Sequence, residues 1–164
     1  MHNYRFLENK FSEEIKFHIK QCLPNLYDNF LEFRPASQYE DGNLSFDLVF
    51  NINFTVSVRI RKFKYIKYPD LTIRSRTKNN GITEIDKIKS GLAQVYFYAY
   101  MNSEETELVK IRVVNVDAIR ELINLKIYNE KINTDNTEFL TFKFKDILQK
   151  KGNIYKFDKL LKNS

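Results

Sequence analysis

Asp47, Arg59 and Arg61 are residues whose types and spacing could do chemistry together. They fall in two runs of strict alternation. Leu44, Phe46, Leu48 and Phe50 alternate with Ser45, Asp47 and Val49; Phe54, Val56, Val58 and Ile60 alternate with Thr55, Ser57, Arg59 and Arg61. Period two predicts two strands, each with an apolar face. With Asn51, Ile52 and Asn53 as the connecting loop, Phe50 faces Phe54, Leu48 faces Val56, Phe46 faces Val58 and Leu44 faces Ile60. All these apolar side chains then share one face, an agreement that a slip of one residue would destroy. The polar face carries Asp47 opposite Ser57 and diagonal to Arg59, roughly 7–8 Å away between backbones. A carboxylate beside two guanidinium groups can pair with them, and guanidinium forks also suit bidentate contact with phosphate.

The cations continue beyond the hairpin. Residues 55–91 hold ten Lys and Arg (Arg59, Arg61, Lys62, Lys64, Lys67, Arg74, Arg76, Lys78, Lys87 and Lys89) against Asp70, Glu84 and Asp86, a local net charge of +7. The whole chain carries +6, so the rest is close to neutral. A basic excess concentrated in this way is the footprint of a polyanion partner; a solvated basic loop is the plainer alternative. The expected nucleic-acid contacts are Arg59, Arg61, Lys62, Lys64, Arg74 and Arg76.

The elements that must position these groups follow from periodicity. Residues 11–22 are expected to form an amphipathic helix with Phe11, Ile15 and Ile19 on its apolar stripe and Pro24 beyond its end; His18 reads as a surface or helix-face histidine rather than a catalytic one. A first strand over residues 29–35 carries Pro35 at an edge position. After Ile60 the alternation changes parity, which calls for a bulge or the end of pairing near Arg61 and Lys62. Residues 71–76 read as a short strand. Thr83 opens the next helix as an S/T-x-x-D/E cap completed by Asp86, and Gly91 closes it. On that helix Glu84 borders the buried stripe and Lys87 lies one turn along; helix-dipole stabilisation is the plain reading of Glu84. Residues 93–101 read as a central strand apolar on both faces, with Tyr96, Tyr98 and Tyr100 as packing residues. A strand over 108–114, a helix over 118–124 capped from Asn115 to Asp117, a polar loop over 126–136, a strand over 139–144, a helical turn over 146–150 and a frayed basic end complete the order.

At 164 residues, 43% hydrophobic and 29% charged, the chain is expected to form one domain, residues 1–164, of α+β (mixed α/β) class. Its single cysteine, Cys22, excludes an internal disulfide and a multi-cysteine zinc site, and makes an intracellular, cytoplasmic setting the default. No apolar run approaches membrane-span length, and no signal-peptide pattern opens the chain. Gly-rich phosphate loops, a G-x-S-x-G elbow and a Cys/His nucleophile pair are absent.

A helix, a β-meander with an aspartate on its second strand, then a helix and a strand resembles the PD-(D/E)XK superfamily, the restriction-endonuclease-like fold shared with Holliday-junction resolvases. The resemblance covers residues 11–123, leaving a C-terminal strand and basic tail over 124–164. It implies a central mixed β-sheet with a meander flanked by helices. Asp47 matches the superfamily's aspartate. Where the superfamily has an acid-x-lysine pair, this chain has Arg59, Ile60 and Arg61. Some members move the acid to the following helix, where Glu84 stands with Lys87. The resemblance therefore implies Asp47 and Glu84 as ligands of Mg²⁺ or Mn²⁺, with Asp70 a further acid available and Lys87 or an arginine on the phosphate. Two readings follow: a metal-dependent nuclease with a rearranged site, acting on DNA sooner than RNA, or a catalytically inactive binding module in which Asp47 pairs with Arg59. A third is a viral interaction or assembly protein of the host cytoplasm.

Overall fold

A computed structural model describes residues 10–22, 33–35, 48–50, 54–77, 81, 83–150 and 152–159. The described elements, in order, are α1 (Ser12–Cys22), β1 (Phe33–Pro35), β2 (Leu48–Phe50), β3 (Phe54–Arg61), a 3₁₀ turn (Phe63–Tyr65), β4 (Asp70–Arg76), α2 (Glu84–Lys89), β5 (Val95–Met101), β6 (Leu108–Asn115), α3 (Val116–Asn124), β7 (Asn129–Ile132), β8 (Glu138–Lys143), α4 (Phe144–Gln149) and β9 (Asn153–Asp158). The fold is mixed α+β. A six-stranded sheet runs β1-β2-β3-β5-β6-β9, and a three-stranded sheet runs β4-β8-β7.

The hairpin register follows from the alternation. Leu48 pairs with Val56, Val49 with Thr55 and Phe50 with Phe54. The pairings of Phe46 and Leu44, and Asp47 itself, lie outside the described residues. β1 is an edge strand ending at Pro35, the position where a missing N–H costs no ladder bond. β3 and β5 run parallel, with Val56 beside Val95 and Arg61 beside Tyr100. Parallel neighbours need a crossover, and here it includes both β4 and α2.

Alternation along β5 divides the interior in two. Val95, Phe97, Ala99 and Met101 join Val56, Val58, Ile60, Ile111 and Val113 beneath Ile15 and Ile19 of α1 and Phe11 just before it. Tyr96, Tyr98 and Tyr100 join Leu71 and Ile73 of β4, Ile85 and Ile88 of α2, Ile119 and Leu122 of α3, and Leu140 and Phe142 of β8. The six-stranded sheet is thus buried on both faces, between α1 and a layer made of the small sheet and the remaining helices.

The caps are where the residue types place them. Thr83 and Asp86 form a complete capping box on α2, and Gly91 takes φ +81° just beyond its end. The Asn115 side chain accepts from Asp117 N at 2.9 Å to start α3.

Three expectations are corrected. Residues 129–132, read as polar loop, form β7, whose four residues are all exposed: an edge strand with no buried face has no period-two signal to detect. Residues 153–158, read as a frayed end, form β9 and pair with β6, Tyr155 beside Val113 and Phe157 beside Ile111. His18, expected at the surface or on a helix face, is 4% exposed on the buried side of α1; its Nδ1 lies 3.1 Å from the Tyr155 hydroxyl of β9. Among the described residues no helix is long and apolar enough to cross a membrane.

Candidate functional site

The polar face of β3 is where the candidate residues gather. In register across the sheet, Arg59 lies beside Tyr98 and Tyr98 beside Arg112, while Arg61 lies beside Tyr100 and Tyr100 beside Lys110. Rows of cations therefore flank a stripe of buried tyrosines. After Arg61 the 3₁₀ turn carries the chain out of this sheet, and β4 returns across the same face within the small sheet. That crossing buries groups which the alternation alone would leave in water.

Arg59 is the clearest case, at 7% exposed. Its Nη1 donates to Glu84 Oε1 at 2.5 Å, and its guanidinium carbon lies 5.6 Å from the centre of the Phe139 ring. Glu84 Oε2 accepts from Arg74 N at 3.2 Å and from the Tyr96 hydroxyl at 3.0 Å. Three donors from β3, β4 and β5 thus converge on one carboxylate at the first turn of α2. Burial first, and the Glu84 charge beside it second, hold the Tyr96 phenol well above its ordinary pKa, so it stays a donor to that carboxylate. Arg112 on β6 is also buried, and its Nη2 donates to both carboxylate oxygens of Asp158 on β9, at 2.7 and 3.0 Å.

Beside this network, between β3 and β5 on one side and the small sheet on the other, lies a cleft of about 230 Å³. Arg61, Thr72, Tyr98 and Tyr100 line it, together with Tyr65, Tyr68, Asp70, Lys131, Asn133 and Phe139. Arg61 donates to Thr72 Oγ1 at 2.7 Å, and its guanidinium sits 4.3 Å from the centre of the Tyr65 ring. The Tyr98 hydroxyl is 3.1 Å from Thr72 Oγ1. Lys131 Nζ lies 3.6 Å from Asp70 Oδ2.

The structure brings Arg59, Arg74 and Glu84 together and sets Arg61 at the neighbouring cleft. Lys64 is exposed, its Nζ 5.1 Å from the Tyr65 ring centre. Lys62 pairs with Glu105 at 3.3 Å, and Arg76 with Glu138 at 2.9 Å. Lys87 is half-buried on α2. Asp47 lies outside the described residues. Among the described residues no three His, Cys, Asp or Glu side chains lie together as a metal-binding group.

Lys131, Tyr68 and Asn133 are site residues that sequence reasoning passed over. Lys131 and Asn133 fall in the stretch read as loop, and nothing local in a polar run announces which residues will rim a cleft. Tyr68 stands in a Tyr-Pro-Asp sequence, after Lys62, Lys64 and Lys67 and before Arg74 and Arg76; aromatic rings interleaved with cations were the available signal.

In structure the chain is similar to a nuclease from a fusselovirus, with a TM-score of 0.48 and 10% sequence identity over 85% of this chain and 82% of that one. No protein-family model and no curated protein matches it.

Proposed function

We propose that the protein binds nucleic acid, with phosphates held by Arg61, Lys64, Lys67 and Lys131 around the cleft. The observation that carries this reading is the cleft's lining: it includes the cations Arg61 and Lys131 and the rings of Tyr65 and Tyr68, at which Lys64 and Lys67 place their ammonium groups. Cations attract the backbone and rings accept bases, the combination used by proteins that bind single strands. The local +7 over residues 55–91 supports it.

The restriction-endonuclease-like reading would add hydrolysis by Mg²⁺ or Mn²⁺ on Asp47 and Glu84, with Lys87 at the phosphate; bound there, the metal would activate a water and clamp phosphate oxygens. The described residues do not fit that group. Glu84 is held by the Arg59 guanidinium, so a dication on the same oxygens would face a fixed positive charge and would have to displace a buried arginine. The geometry favours the binding module, with Glu84 as a partner of Arg59.

Titrating a labelled oligonucleotide duplex at several salt concentrations tests the reading. About four phosphate contacts give a log–log slope near −3.6. Neutralising Lys64 and Lys67 together should flatten it by about two units. No binding of either duplex or single strand at low salt, or binding indifferent to salt, refutes the reading. Cleavage with Mg²⁺ or Mn²⁺ that disappears in Asp47→Asn and Glu84→Gln would replace it with the hydrolytic one.

A further inference from the structure

We propose that the cleft receives a single unstacked base of a single strand, stacked against Tyr68, while the flanking phosphates lie on Lys67 and Lys131. This rests on the nucleic-acid reading above and names the form of nucleic acid that the site takes.

Size is the first argument. Clefts that hold drug-sized ligands run to about 300–1,000 Å³. At about 230 Å³ this one is short of that range, and suits one ring system rather than a whole nucleotide. A base inside a duplex cannot enter such a space without leaving its stack, at a cost of a few kcal/mol. A single strand offers its bases without that cost.

The lining is the second argument. Its walls are rings: Tyr65, Tyr68, Tyr98, Tyr100 and Phe139. Tyr98 and Tyr100 are fully buried and form the floor, whereas Tyr68 is 44% exposed and so keeps ring surface for a partner. Lys67 and Lys131 place their ammonium groups 5.5 and 5.8 Å from the centre of the Tyr68 ring. A base stacked on that ring would carry its sugar and phosphates into reach of both cations.

The floor supplies the third argument. The Tyr98 and Thr72 hydroxyls meet at 3.1 Å, with Arg61 donating to Thr72. Asp70 adds a carboxylate and Asn133 an amide to the lining. Donors and acceptors on a ring-walled floor match the edge of a heterocycle.

Fluorescence anisotropy with a labelled DNA strand, the corresponding duplex and an RNA strand of the same sequence, all at one salt concentration, separates the possibilities. The wild type should prefer either single strand to the duplex. Tyr68→Ala should weaken both single strands by about 10-fold, the scale of one lost base stack, and change the duplex less than about two-fold. Tyr68→Phe keeps the ring and should bind like the wild type. Tyr68 lies outside both cores, so an unchanged thermal midpoint is expected for each variant. If Tyr68→Ala leaves single-strand affinity unchanged, or weakens duplex and single strand alike, the base pocket is overturned while the nucleic-acid reading stands. If the wild type binds none of the three at low salt, both are overturned.

Discussion

The two faces of the six-stranded sheet come from alternate residues of the same strands, yet they are covered by different means. Among the described residues, Val56, Val58 and Ile60 point to the face covered by the helix α1. Thr55, Ser57, Arg59 and Arg61 point to the face closed by β4, β8 and α2. Hydrocarbon on the first face needs only an apolar stripe, which Phe11, Ile15 and Ile19 supply at helical spacing. The second face needs a partner for each buried charge, and the partners come from far along the chain: Glu84 for Arg59 and Asp158 for Arg112. Non-directional burial tolerates many coverings, whereas a buried guanidinium tolerates few. The polar face accordingly specifies which elements meet, and a cleft forms on it.

Substitutions can break this comparison, and the largest effect is expected on the apolar face. Phe97→Ala, in the middle of the buried strand β5, should cost about 3–5 kcal/mol in urea unfolding. A cost below about 1 kcal/mol would mean that this core yields easily to a cavity.

The next effect sharpens the contrast on the polar face. Glu84→Gln keeps the size of the side chain and removes its charge, leaving Arg59 buried beside a neutral amide. Breaking a fully buried pair costs about 3–5 kcal/mol; with Glu84 30% exposed, about 2–3 kcal/mol is expected. The double substitution Arg59→Met with Glu84→Gln should recover part of that loss, because the stranded charge is gone. Additive costs would show that the two side chains do not act as a pair.

The smallest effect concerns His18, the polar exception on the apolar face. Burial holds its imidazole below the ordinary value of 6.5, so the folded protein keeps it neutral where the unfolded chain takes up a proton. Stability present above about pH 6.5 is therefore lost as pH falls from there toward the lowered folded value. Cys22, pushed up to about 12 by burial, and Tyr155, also raised, do not titrate in that window. Glu14 of α1, raised mainly by burial, acts in the opposite sense: its contribution is complete below its ordinary 4.5 and is lost as pH rises through its folded value. Thermal midpoints measured from pH 7.5 to pH 5.5 should fall in the wild type and flatten in His18→Gln. An equal fall in both would assign the pH dependence to other groups.

Local periodicity determined much of this protein by itself. The β2–β3 register is legible because only one alignment puts every apolar residue on one face. β5 is legible because both of its alternating sets are apolar or aromatic, as a strand buried on two sides requires. The caps of α2 and α3 are legible because Thr83, Asp86 and Asn115 act within three residues of their own position. The concentration of cations, too, is a property of the chain. Tertiary structure alone decided what became of them. That Arg59 is buried depends on β4 crossing back over β3. That Glu84 meets Arg59 depends on where α2 docks, 25 residues further along. β7 has no buried face to give it a pattern, β9 alternates only over Tyr155 to Asp158 and finds its place by pairing with β6, and Lys131 reaches the cleft because β7 extends the small sheet. Side-chain alternation is set by the backbone of one strand, but burial and pairing depend on which distant segment packs against it, and no short-range rule in the chain encodes that choice.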